Sequence, residues 1–471
     1  MLHNIHRLWD FPGGVRLEGR KTQSLQQPLA RMPVPARIVL PLQQHIGEPA
    51  EPVVEIGDRV LKGQLIARTS SYISAPVHAS TSGTVIEIAE KPAPHPPDFS
   101  SLCVVIETDG CDQWVTQSAQ PMRDYRDIDS ALLIARARVC GIVGMGGAAF
   151  PSAVKLDFPN KIDTLIINGA ECEPYISCDE MLMRARPEAV IEGAHIMRHT
   201  LRADICVIGL EDNAREAFEA LCGALGGVEV DGLRIARVPN RYPVGGERQL
   251  IKVLTGLEVP SDGLPGDIGV ICHNVGTAEA MRRAVIYGEP LLSRIVTVTG
   301  QGVKQPRNLE VPLGTPIADV ITYCGGYTDD IERLIIGGPM MGFALETDDA
   351  PVIKATNCIL ALARGELGAP ALTMPCIRCG DCASVCPALL LPQEIYWRAK
   401  AGDLKGAQAY NLFDCIECGC CAYVCPSKIP LVDYYRAAKT RIWGEDHDQH
   451  VAHVAHRLYG SRAKRKEKER E

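Results

Sequence analysis

Cys376-Ile-Arg-Cys379-Gly-Asp-Cys382-Ala-Ser-Val-Cys386-Pro387 recurs downstream as Cys415-Ile-Glu-Cys418-Gly-Cys-Cys421-Ala-Tyr-Val-Cys425-Pro426. Two-residue spacers let a tight turn aim three successive sulfurs at one face of an iron–sulfur cubane. A fourth cysteine, closed by proline, reaches across to the other cluster of a pair. The runs therefore assign Cys376, Cys379, Cys382 and Cys425 to one [4Fe–4S] cluster, and Cys415, Cys418, Cys421 and Cys386 to a second. Zinc tends to use separated Cys-x-x-Cys pairs or mixed Cys/His sets, so a zinc-stapled assembly protein without a redox role is the weaker reading. Cys420 falls outside the ligand register and reads as a packing residue.

The cysteine count supports the same reading. Of 19 cysteines, ten lie scattered between Cys103 and Cys358 and nine between Cys376 and Cys425. Scattered thiols behave as small buried hydrophobes, whereas the crowded ones need a ligand. No export signal is visible in the first residues, so the chain is expected in the cytoplasm, where disulfides are rare. With 471 residues, 46% of them hydrophobic, the chain has material for about three domains, and a mainly disordered state is excluded. The net charge of −8 argues against nucleic acid as a partner, and no apolar run reaches the length of a membrane span. The tail, 441–471, is polar; His447, His450, His453 and His456 within it read as a polar helix end, and its basic close as solvated.

Upstream, Ala36–Leu40, Gly83–Ile88 and Ser101–Thr108 alternate as strands, with turns at Gly57-Asp58 and Lys62-Gly63. This stretch resembles the biotinyl/lipoyl-like barrel-sandwich domain, but its hairpin reads Ala75-Pro76-Val77-His78, with no modifiable lysine. The resemblance implies a structural or docking role, and the hairpin at Pro76 is the expected docking surface. Lys91 to Pro97 reads as a proline-rich loop. Beyond Ile128, strand-like runs at Thr164–Asn168, Ile205–Gly209, Leu233–Val238 and Val270–Asn274 alternate with helical stretches, which predicts a mostly parallel sheet. From Arg294 to Leu362 short strands and frequent turns fit a β-grasp unit. Between the cysteine runs, Gln393–Ala401 and Leu404–Leu412 read as two short helices, so the cysteine-rich module is expected to be helical.

Four loops of the α/β region carry candidate contacts. In Gly141-Ile-Val-Gly144-Met-Gly146-Gly147-Ala148-Ala149-Phe150-Pro151 the glycines permit close backbone approach, and Lys155 supplies charge one turn on. A helix precedes this loop where a dinucleotide fingerprint needs a strand. Asn168 with Glu171 and Glu173 follows a predicted strand, where ligands of α/β sheets bind. Tyr242-Pro-Val-Gly245-Gly-Glu247 and Asn274-x-x-Thr277 lie near further strand ends.

In this order the motifs resemble the FMN- and NADH-binding fold of the complex I flavoprotein subunit. The β-grasp unit resembles the soluble-ligand-binding domain that follows it. With a barrel-sandwich segment in front and a two-cluster ferredoxin behind, the chain resembles the RnfC family of Rnf-type ion-translocating oxidoreductases. Pro41–Gly47, Ser74–Ala79 and Gly338-Pro339-Met340-Met341-Gly342 carry the same likeness. The resemblance implies a multidomain α/β plus β protein: barrel-sandwich 1–120, FMN/NADH-binding α/β 125–290, β-grasp 291–362 and helical two-[4Fe–4S] ferredoxin 366–440. It implies FMN/NADH contacts at Gly144, Gly146, Gly147, Phe150, Lys155, Asn168, Glu171, Glu173, Glu247, Asn274 and Thr277, with NAD(H) as substrate and no catalytic acid or base singled out. It further implies a peripheral place on the cytoplasmic side of a bacterial inner membrane. The partners would be a cluster-bearing relay subunit and integral membrane subunits, with ferredoxin reached indirectly. Met145 and Gly246 depart from the complex I pattern, which has arginine and an acidic residue there. A soluble reductase of the cobalamin reductase type shares these modules but carries the barrel-sandwich segment at its other end.

Overall fold

The computed structural model describes residues 7–94, 100–116, 120–366 and 372–443. The histidine repeat and the basic close of the tail lie outside the described residues. Two compact units emerge. One gathers Gly19–Arg237 and Gly269–Glu366; the other gathers Met1–Glu18, Val238–Ile268 and Leu367–Glu471. The segment containing Glu247 thus folds with the cysteine-rich region and the N-terminal residues rather than with the strands on either side of it in sequence.

The larger unit begins with the barrel-sandwich. Alternating apolar residues bury Ile38, Leu40, Val85, Val104 and Ile106, and the strands Arg37–Pro41, Ser100–Thr108, Gly83–Pro92 and Arg59–Val60 pair in that order. A second sheet joins Glu51–Pro52, Leu65–Arg68 and Val77–His78. Two expectations are corrected here. Lys91 and Pro92 extend the strand Gly83–Pro92 instead of forming a loop, paired with Ser101 and Ser100. The hairpin Ala75–His78 is buried along its length; the Pro76 carbonyl accepts a 2.9 Å bond from the buried Lys354 ammonium, which also reaches the Gly141 carbonyl at 2.8 Å. A tip held this way offers no docking surface.

The α/β sheet has Thr164–Gly169 beside Ile205–Glu211 on one flank and Val270–Asn274 on the other, both parallel to it. Its β-branched, nearly continuous apolar strands are what a sheet covered on both faces requires. The helix Pro187–Leu201 starts with proline in its first turn, where a missing N–H costs nothing. It packs on Val275–Arg282 so closely that a Cβ on Gly193 would stand 2.0 Å from the Ala278 carbonyl oxygen. No residue other than glycine allows that approach.

The β-grasp region is a six-stranded sheet of its own. The strands Ser293–Thr299, Arg307–Pro312, Ile331–Ile336, Phe343–Leu345 and Cys358–Ala363 enclose Val296, Val298, Leu309, Val311, Val320 and Ile359. Its outer strand comes from far upstream, Ala30–Arg31 pairing in parallel with Leu309–Glu310.

In the cysteine-rich unit the expected helices are Pro392–Ala401 and Leu404–Ala409, the second followed by a 3-10 turn at Leu412–Asp414. A further helix covers 431–443. Ile395, Leu412, Ile429, Leu431 and Tyr435 form the core. The two cysteine runs repeat each other in backbone as in sequence. Arg378 and Glu417 both take positive φ (59° and 57°), as do Gly380 and Gly419 (85° and 78°). A one-turn helix follows each, Asp381–Ser384 and Cys420–Val424.

Candidate functional site

The glycine loop is a closed turn. Gly144 N–H donates to the Phe150 carbonyl at 2.8 Å, and Val143 bridges Pro151. Its tip, Gly146 to Ala148, is exposed. Gly147 sits at φ +107° with open space where a Cβ would stand. Among the described residues the backbone N–H groups of Gly146, Gly147 and Ala148 donate to no other group, which leaves three donors on an exposed tip. Such a tip is suited to an anionic or hydrogen-bonding ligand edge.

The helix Val275–Arg282 holds the loop from beneath. Asn274 caps it, accepting from Gly276 N–H at 2.8 Å. Thr277, fully buried, accepts from Met145 N–H at 2.9 Å. Asn274 Nδ2 also donates to Asp179 at 2.5 Å, and its Cβ would lie 3.5 Å from one placed on Gly146. Arg294 closes the underside by donating to the Met145 carbonyl at 3.1 Å. The strand ends at Asn168 and Asn274 lie in register, so these two loops, separate in sequence, meet at one edge of the sheet. Asn168 Oδ1 turns back to accept from Ala170 N–H at 3.0 Å.

Two of the expected ligand carboxylates have structural work in the chain itself. Glu171 accepts from Asp179 N–H at 3.0 Å and from the Cys178 thiol at 3.2 Å, at the start of the helix Cys178–Ala185. Burial pushes its carboxyl up, against the pull of Lys21. Glu173 accepts from Met340 and Met341 N–H at 2.6 and 3.0 Å, bracing the Gly338–Gly342 turn of the β-grasp region. Sequence reading missed Lys21, which donates to the Glu171 carbonyl and stands 3.8 Å from its carboxylate and 3.7 Å from that of Glu211. Burial pulls the Lys21 ammonium down, but the carboxylates Glu171, Glu211 and Glu180 outweigh it and leave it raised. Lys155 lies in the short helix Ser152–Leu156. With burial, it keeps the His273 imidazole neutral, and His273 Nε2 has no partner. Glu247 opens the helix Glu247–Thr255 in the other unit.

The cysteines of the two runs line two separate cavities. Cys376, Cys379 and Cys382 line a cavity of about 340 Å³ together with Cys425. Cys415, Cys418 and Cys421 line a much tighter one, of about 20 Å³, together with Cys386. All eight are free thiols. A four-thiol lining with no disulfide is the donor set of a cubane, and the positive-φ residue before the second cysteine of each run lets both turns fold back on their sulfurs. Arg378 N–H donates to Cys376 Sγ and Glu417 N–H to Cys415 Sγ, each at 3.4 Å. Cys420 lines the second cavity, fully buried.

The two cavities differ in surroundings. Around the first, Cys379 and Ile377 are exposed, and Arg378 lies 5.3 Å over the Trp397 ring. Around the second, Cys386, Cys418 and Cys421 are buried. Lys439 donates there to the Cys415 carbonyl at 2.7 Å and to Glu417 at 2.8 Å, with Arg436 on the other carboxylate oxygen at 3.0 Å. Tyr242, read from sequence as part of a flavin-fold loop, donates instead to the Cys418 carbonyl at 2.6 Å. Lys439 carried no sequence signal, and nothing in the loop around Tyr242 points to Cys418, because each acts from a remote segment.

Comparison with known proteins follows this geometry module by module. Residues 9–111 match the RnfC barrel sandwich hybrid domain, 137–283 the Nuo51 FMN-binding domain, 295–344 the SLBB domain and 375–429 the 4Fe-4S dicluster domain. The chain is therefore a multidomain α/β plus β protein with an FMN-binding domain and a dicluster domain. The C subunit of the ion-translocating oxidoreductase complex of Erwinia tasmaniensis is 48% identical over 98% of this chain and 57% of its own length. Its counterpart of the same name in Pseudomonas aeruginosa is 49% identical over 92% and 55%, and that of Vibrio cholerae 44% over 87% and 52%. The chain thus spans little more than half the length of these curated relatives. A solved NAD+-reducing [NiFe]-hydrogenase is similar at 20% identity and TM-score 0.47, over 68% of this chain and 63% of that one. The sequence identity, the order of the modules and the two cysteine runs agree, and the chain belongs to the RnfC family, the C subunits of ion-translocating oxidoreductase complexes.

Proposed function

We propose that the chain is the peripheral NADH-handling subunit of a membrane-bound ion-translocating complex, carrying electrons between NAD(H), FMN and two [4Fe–4S] clusters. The observation that carries this reading is the union in one chain of an FMN-binding domain with two crossed four-thiol cavities. FMN, when bound, converts the two-electron chemistry of nicotinamide to the one-electron chemistry of the clusters. The chain's own part is orientation and electrostatics. The N–H groups of Gly146 to Ala148 and the charge of Lys155 suit the anionic and polar edges of a flavin nucleotide. Asn274 and Thr277 fix the loop that presents those donors. Cys376, Cys379, Cys382 and Cys425 hold the cluster nearer the surface, and Cys386, Cys415, Cys418 and Cys421 hold the buried one.

Exposure of Cys379 and Ile377 supports the first cavity as the side from which a relay subunit is reached. The partners in this reading are that cluster-bearing relay and integral membrane subunits, with ferredoxin at a further remove. Among the described residues no helix is long and apolar enough to cross a membrane, which agrees with attachment through partners on the cytoplasmic face. Anaerobic purification of the full chain tests the reading. About eight iron atoms and one FMN per chain are expected, from two four-iron clusters and one flavin site. A colourless protein with stoichiometric zinc would overturn it.

A further inference from the structure

A second cavity in the larger unit, about 440 Å³, has no part in the site above. It lies where the 3-10 turn Tyr125–Asp127 meets the last turn of the helix Pro187–Leu201. That helix leads directly into the strand Ile205–Glu211, whose first residue is in register with Thr164, the first of its neighbour. The cavity is therefore at the edge where the strands begin. Asn168 and Asn274 stand at the edge where they end, roughly 17 Å away for a strand of this length.

The lining is cationic. Arg126, Arg198, Arg202, His195 and His199 surround it with Tyr125. None of the three arginines pairs with a carboxylate among the described residues. Arg198 spends its guanidinium on backbone carbonyls, donating to Ala203 at 3.2 Å, to Asp204 at 2.8 Å and to Asp231. Those bonds fix its position without neutralising its charge. Of the acidic side chains around it, Glu192 pairs with Arg282 and Asp204 with Lys161 at 3.0 Å, while Asp231 and Glu192 act on His195 through space. Arg126 stacks on the Tyr125 ring at 5.6 Å, and His199 meets the same ring edge-on at 6.0 Å while bonding the Ile128 carbonyl.

A helix C-terminus carries only about half a negative charge. Here its end carbonyls are already met by the backbone N–H groups of Arg202 and Ala203. Three full guanidinium charges outweigh that dipole, so the cavity is a net attractor of anions. Burial holds the His195 pKa down, and Arg198 and Arg126 add to it against the opposing pull of Asp231 and Glu192. The volume suits a small polar ligand, and planar guanidinium donors match phosphoryl oxygens.

We propose that the cavity between Tyr125–Asp127 and the end of Pro187–Leu201 binds a phosphate-bearing anion, either a free phosphate ester or the headgroup of an anionic phospholipid. The site is separate from the one that receives flavin and does not depend on its occupancy.

The test uses the full flavin- and iron-loaded chain, with inorganic pyrophosphate as the free probe and phosphatidylglycerol vesicles as the lipid probe. Arg126 and Arg202 are exposed and make no ion pair, so the double variant Arg126→Ala/Arg202→Ala is expected to keep the fold. Arg333→Ala/Arg364→Ala, which removes two exposed arginines elsewhere, is the charge-matched control. Calorimetric titration is expected to give saturable pyrophosphate binding that the double variant weakens tenfold or more and the control leaves unchanged; this outcome assigns a free phosphate. Flotation with phosphatidylglycerol but not phosphatidylcholine vesicles, lost in the double variant alone, assigns the lipid headgroup. If neither probe binds, or if the double variant binds both as the wild type does, the proposal is wrong.

Discussion

Glu211 shows how much of this protein's chemistry is set by burial. Its carboxyl is almost wholly enclosed, one oxygen has no hydrogen-bond partner, and burial pushes its pKa up to about 7 despite Lys21. The folded state therefore holds a proton that the unfolded chain gives up near pH 4.5. This contribution to stability is complete below that value and is lost as pH rises through about 7. The whole window corresponds to about 3 kcal/mol at most. Wild type should accordingly lose more stability between pH 5 and pH 8 than Glu211→Gln, as denaturant titrations at the two pH values will measure; equal losses would reject the assignment.

Thr277 is the second residue whose role is specific enough to test. Replacing it by valine keeps the shape and leaves the Met145 N–H without its acceptor. The expected cost is about 1–3 kcal/mol, with weaker retention of FMN on gel filtration because the loop tip loses its support. Lys439 makes a third case. A buried ammonium beside Cys415 favours the reduced, more negative form of any cluster held there. Lys439→Met should lower the midpoint potential of the buried cluster and leave the exposed one in place, as redox-poised electron paramagnetic resonance will register.

At the scale of elements, the paired cysteine runs were legible because ligand geometry dictates spacing, and spacing survives in sequence. The parallel strands were legible for a similar reason: a strand buried on both faces must be apolar throughout. The outer strand Ala30–Arg31 was not, since two residues carry no periodicity and gain their pairing only from Leu309–Glu310. The hairpin at Pro76 misled because nothing local reveals a lysine nearly three hundred residues away that buries it. Tyr242 misled likewise, its glycine-rich surroundings resembling a flavin loop while its hydroxyl serves Cys418. The crossed runs carry the clearest prediction at this scale. Cys386→Ser should reduce iron from about eight to about four atoms per chain, and the surviving resonance should be that of the exposed cluster. Loss of the cluster bound by Cys376, Cys379 and Cys382 instead would show that each run serves its own cluster.

For the whole molecule, the division into two units matters more than the linear order of modules. The strand-rich unit contains the glycine loop, the Asn168 edge and the brace from Glu173 to the β-grasp turn. The other contains the eight cysteines that line the two cavities, together with Glu247 and Tyr242, which come from the middle of the chain. Residues 238–268 are thus a length of flavin-fold sequence committed to the cysteine-rich unit, a relation that only the folded chain reveals. In the proposed role this chain accepts electrons from NADH by itself, before any partner is present. The most direct measurement is anaerobic NADH oxidation by the purified full chain, loaded with FMN and iron, with ferricyanide as acceptor. Turnover that saturates with NADH and disappears when FMN is removed is the expected result. A fully loaded chain that leaves NADH unoxidised would contradict it.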